Sequence, residues 1–129
     1  MSFADFRVYI QMKAWFIAAI FMSLPSLFGQ DPVQVAPENY RVVFENQRVR
    51  VLSFHANPGE KWKLHGHPDS VVVSLDQYKV RNMVPGSEPT TREARRGDVA
   101  WIPARSHTGE NIGGTEMECI LVELKEPKK

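Results

Sequence analysis

From Tyr40 onward the chain alternates apolar and polar positions with the two-residue period of extended strands. Short clusters of turn-forming residues interrupt the alternation at near-regular intervals. The pattern predicts strands over 41–45, 48–55, 61–67, 71–75, 78–84, 90–94, 99–103, 106–112 and 116–124. Turns fall at Glu45-Asn46-Gln47, Asn57-Pro58-Gly59, Asp76-Gln77, Pro85 to Pro89, Arg95 to Asp98 and Gly113-Gly114. Nothing after residue 30 sustains helical periodicity, and no internal repeat is present. Many short strands with Gly/Pro turns predict an all-β sandwich or barrel.

The first 29 residues follow a different rule. Lys13 precedes the uncharged apolar run Ala14 to Leu24, and Leu27-Phe28-Gly29 follows Pro25-Ser26. A cation, a short apolar core and a small residue at the end predict a secretory signal peptide over 1–29, hence a periplasmic or secreted protein. The run is short for a membrane span, which takes about 20 residues. A retained membrane anchor or a buried core helix is the alternative, and contact with a membrane would then be through this segment alone. Residues 30–39 carry Pro32 and Pro37 and predict an extended leader. Residues 40–125 form the domain and 126–129 a solvated tail.

Composition narrows the function classes. The chain of 129 residues suits one domain. Its single cysteine, Cys119, excludes an internal disulfide and a cysteine-rich zinc site, and its alternation with Met117 and Leu121 predicts a buried reduced thiol. A formal net charge of +1 lacks the basic excess of a nucleic-acid binder.

The candidate chemistry lies in the histidines. His65 and His67 stand two apart within a predicted strand, so both imidazoles face one side, as a divalent metal requires. Gly59 precedes His65 by five intervening residues, and Gly97, Pro103, His107 and Asn111 form a second spaced set. These two sets, in this order, resemble the two motifs of the cupin superfamily, and the likeness covers Tyr40 to Lys125. The wider frame resembles the small stand-alone bacterial cupins. The resemblance implies a double-stranded β-helix, or jelly-roll barrel, with His65, His67 and His107 projecting into its mouth. It also implies a homodimer, since cupins commonly dimerise.

Three departures shape the expectation. Val71 and Val72 occupy the stretch where the family places a metal-binding glutamate. Arg105 replaces the glycine of the second motif, and Tyr78 the closing glycine of the first. Three imidazoles without a carboxylate can hold Fe²⁺, Zn²⁺, Mn²⁺, Ni²⁺ or Cu²⁺, and they leave open positions for water, dioxygen or substrate. Within the superfamily the arrangement resembles the thiol dioxygenases. It implies a metal-dependent dioxygenase or related oxidoreductase acting on a small anionic molecule. The alternatives are a non-catalytic module that binds a ligand or metal, and a structural barrel with a decayed site. Strand parity places Lys63 and Arg105 on the ligand face as candidate anion receptors, and Trp62 and Leu64 on the opposite, outer face. His55 matches no ligand position and reads as a partly buried strand residue.

Overall fold

The computed structural model describes residues 29–127. After a helical turn, α1 (Pro32–Val35), come β1 (Tyr40–Glu45), β2 (Val49–Ala56), β3 (Lys61–His67), β4 (Ser70–Ser74), β5 (Tyr78–Met83), β6 (Thr90–Ala94), β7 (Val99–Ile102), β8 (Arg105–Asn111) and β9 (Met117–Leu124). One sheet has the order β1-β2-β9-β4-β7 and the other β3-β8-β5-β6, and every pairing is antiparallel. This is the cupin-type double-stranded β-helix that the two motifs imply.

The alternation in the sequence becomes the core. Leu52, Phe54 and Ala56 from β2, Val72 from β4, and Met117, Cys119 and Leu121 from β9 line the inner face of the first sheet. Trp62, Tyr78, Val80 and Ala94 face them from the second. The Phe54 and Trp62 rings meet edge to face across the gap, with centroids 4.9 Å apart. Cys119 is a free, buried thiol that burial pushes up to about 12, so it is inert packing.

Two expectations are corrected here. The leader is not wholly extended. Pro32 sits at the first helical position of α1, where its missing N–H is no loss, and the Asp31 carboxylate caps the turn by accepting from Val33 N at 2.9 Å. Trp62 is in the core and not on the outer face. The register of β3 against β8 shifts between Trp62 and His65, a bulge that breaks the two-residue parity. Lys63 and Leu64 therefore both face outward, while Trp62, His65 and His67 all face inward. Trp101 is 53% exposed on β7 and does not line the barrel.

Gly59 and Gly97, the glycines that open the two motifs, have φ of +79° and +87°. Side chains with a Cβ rarely adopt that conformation. Each sets the tight turn that feeds a site-bearing segment back into the sheets. Among the described residues no helix is long and apolar enough to cross a membrane. The predicted signal peptide lies almost wholly outside the described residues.

Candidate metal centre

The antiparallel pairing of β3 with β8 sets His65 directly opposite His107. The alternation along β3 returns the chain to the same face at His67. The three rings converge, with centroids 4.7 Å (His65–His67), 4.8 Å (His65–His107) and 5.4 Å (His67–His107) apart. One nitrogen from each ring lies within 4.8 Å of the other two. His65 and His67 are 1% and 2% exposed.

Each ring is held from behind through Nδ1. His65 Nδ1 lies 2.7 Å from the Lys63 carbonyl, His67 Nδ1 2.6 Å from Glu123 Oε1, and His107 Nδ1 3.3 Å from Asn82 Oδ1. A carbonyl and an ionised carboxylate only accept, so the proton on His65 and on His67 sits at Nδ1. Their Nε2 lone pairs then point into the site, where the two Nε2 atoms approach to 2.8 Å. Two lone pairs at that separation repel unless a cation, a proton or a metal ion, sits between them. The donor set thus fits a divalent transition metal, the coarse expectation from the sequence.

Electrostatics favour neutral ligands. Burial, then the neighbouring His67, brings the His65 imidazole down to about 4. Burial, then His67, His65 and Arg105, brings His107 down to about 2. Burial alone would raise the Glu123 carboxyl, but hydrogen bonds from His67 and Arg50 outweigh it and hold the group below its ordinary value.

His67 and His107 open on a cavity of about 220 Å³ between the two sheets. Its walls are mostly apolar, built around Phe54, Trp62, Val72, Val80 and Leu121. Val72, not Val71, is the one of the two valines that lines it, so no carboxylate stands at the family's glutamate position. Tyr40 packs edge-on against His65 with centroids 4.8 Å apart, and burial raises its hydroxyl well above the usual phenol value. Arg92 and Arg105 bring two guanidinium groups to the lining, and none of the described lining residues is acidic. Arg105 Nε is buried without a hydrogen-bond partner, as is Ser70 Oγ on the same lining.

Of the residues expected at the site, His65, His67, His107 and Arg105 come together there. Lys63 does not: its side chain is exposed on the outer side of the β3 bulge and lines no part of the cavity. His55 is on the outer face of β2, 3.7 Å from Glu116, and does not join the three. Sequence reasoning missed Arg92, Tyr40 and Glu123. For Glu123 a signal existed. Met117, Cys119, Leu121 and Glu123 share one strand face, so a carboxylate occupies a core position, and such a group needs a partner.

No protein-family model matches the chain, and no curated protein sequence matches it. Solved structures do. A cupin domain from Bordetella pertussis Tohama I is 27% identical, with a TM-score of 0.62 over 67% of this chain and 92% of that one. An RmlC-like cupin from Methanocaldococcus jannaschii is 14% identical, with a TM-score of 0.55 over 66% of this chain and 77% of that one. The polyketide cyclase RemF from Streptomyces resistomycificus is 18% identical, with a TM-score of 0.52 over 67% and 64%. With this fold and these neighbours, the chain is a small member of the cupin superfamily.

Proposed function

We propose that the protein is a metal-dependent cupin of dioxygenase or related oxidoreductase type that acts on a small anionic molecule. The observation that carries this reading is the convergence of His65, His67 and His107 with their Nδ1 atoms engaged behind the rings. Fe²⁺, Zn²⁺, Mn²⁺, Ni²⁺ or Cu²⁺ suits three imidazoles, and a bound ion supplies Lewis acidity and open positions for substrate or dioxygen. The chain's own residues do the rest. The apolar walls exclude water and seat the body of the substrate. Arg105 and Arg92 attract its negative charge, in the role that Lys63 does not fill.

A second reading, a non-catalytic module that captures a small anion or stores the metal, has one observation in its favour. Apart from the histidines, none of the described lining residues is poised to move a proton near neutral pH, since burial raises Tyr40, Tyr78 and Cys119. Export to the periplasm or beyond, and a homodimer, complete the proposal. The apolar side chains of Phe44 on β1 and Trp101 on β7, each 53% exposed on an edge strand of one sheet, favour the dimer.

Elemental analysis of the native protein is expected to give about one transition metal per chain, and His67→Ala to remove it. Equal metal content in the variant overturns the site. Oxygen uptake by the metal-loaded protein with thiol, phenolic or keto-acid substrates separates the two readings, and none of it with any of these favours the binding module.

A further inference from the structure

The segment ahead of the barrel reaches the site twice. Gly66, between the two histidines of β3, donates its backbone N–H to the Gln30 carbonyl at 2.8 Å. The next residue, Asp31, begins a chain of charged contacts that ends on a ligand. Asp31 Oδ2 takes Arg50 at 2.5 Å, and Arg50 Nε donates to Glu123 Oε2 at 2.7 Å. Glu123 Oε1 takes His67 Nδ1 at 2.6 Å. β2 and β9 build the middle of this chain, because their register sets Arg50 directly opposite Glu123. Glu123 is 2% exposed, so both its oxygens are committed and neither is solvated.

A buried carboxylate in this place is not explained by packing. Charged side chains in an otherwise apolar row destabilise a core unless they are paired and hydrogen-bonded. Glu123 has both partners, one of which is a candidate ligand. Its bond fixes which His67 nitrogen carries the proton, fixes the ring plane, and makes Nε2 the more basic for a cation. Arg50 holds the carboxylate in place, and Asp31 holds Arg50.

We propose that Glu123 is the positioning residue of His67, and that Asp31, acting through Arg50, makes the leader part of the metal centre. The inference rests on the three-histidine reading above. Glu123 need not touch the metal. Losing its charge leaves His67 free to adopt the other tautomer, whose Nε2–H cannot accept a cation.

Cobalt(II) is the probe, titrated into the full chain after chelator treatment. Glu123→Gln is nearly isosteric and is expected to weaken cobalt affinity by about 10- to 100-fold, in line with the loss of such supporting partners. Asp31→Asn is expected to weaken it by a smaller factor in the same direction. ¹⁵N NMR of the metal-free protein supplies a readout that a purely structural role would not move. The expected result is a protonated Nδ1 on His67 in the wild type and a changed tautomer ratio in Glu123→Gln. Unchanged cobalt affinity in Glu123→Gln overturns the positioning role while the metal reading stands. Unchanged affinity in Asp31→Asn alone overturns the leader's share. If the wild type binds no cobalt, the metal reading fails, and NMR then decides this one: an Nε2-protonated His67 in the wild type overturns it. If Glu123→Gln does not fold, the wild-type tautomer and Asp31→Asn carry the same test.

Discussion

At the scale of single residues, burial keeps the His65 and His107 imidazoles neutral, and this predicts how stability depends on pH. In an unfolded chain the histidines titrate near 6.5, whereas His65 is brought down to about 4 and His107 to about 2, in both cases chiefly by burial. Below 6.5 the unfolded chain therefore takes up protons that the folded chain refuses, and the slope of stability against pH is positive. Glu123 adds to it from the acid side. Held below its ordinary value of 4.5, it contributes stability above that pH that is lost as the pH falls toward its folded value. The metal-free protein is thus expected to lose stability steadily from pH 7 to pH 4 and further below. Urea denaturation at half-unit pH intervals measures this, and a flat profile across that range would show that His65 and His107 are not buried as neutral bases. His107→Gln should flatten part of the slope. His65 and His67 were readable as candidate ligands because their spacing gives them one face, and His107 because its segment resembles the second cupin motif. Arg92 and Tyr40 were not readable, since each reaches the cavity from a strand with no motif of its own.

At the scale of elements, the strands follow from the period of the sequence, and the exception is instructive. A two-residue alternation extrapolated along 61–67 places Trp62 opposite His65, and the observed strand places them together. The reason is the bulge at Lys63 and Leu64, an extra residue that no local composition announces. The bulge has its counterpart across the ladder. Gly109 faces Trp62 in register, and the indole lies on the space where a Cβ would be. A Cβ built on Gly109 collides with Trp62 Cζ2, sits 2.7 Å from Cε2 and 3.1 Å from the Arg81 carbonyl. One rigid indole and a backbone oxygen leave little room to adjust. Gly109→Ala is expected to cost about 1–3 kcal/mol through overpacking, a fall in Tm of roughly 4–8 °C per kcal/mol for a domain of this size. Since Trp62 also lines the cavity, its fluorescence should shift in the folded variant. An unchanged Tm would mean that the indole swings aside freely and that the bulge does not depend on the glycine.

At the scale of the whole molecule, the leader and the barrel are one unit, which constrains how the chain is processed. The sequence predicts cleavage after a small residue near Gly29, and residues 1–28 lie outside the described structure. The described part supplies an independent limit. The Gln30 carbonyl is bonded to Gly66 between His65 and His67, and Asp31 both caps α1 and holds Arg50. Ala36, fully buried, and the partly buried Val33 and Val35 pack the same segment onto the core. The prolines suggested an extended tether, but Pro32 at the start of a capped turn makes the segment a plug with a defined place. Cleavage beyond Asp31 would remove the last link to Glu123 and leave Arg50 with one carboxylate where it had two. If the chain is exported and cut as proposed, the mature protein is expected to begin at or before Gln30, as read by intact mass. A chain started at Pro32 is expected to melt lower and to bind cobalt more weakly than one started at Gln30. A mature chain beginning beyond Asp31 with undiminished metal content would show that the barrel completes its centre without the leader, and would leave the Asp31–Arg50 pair as a surface contact worth at most about 1 kcal/mol.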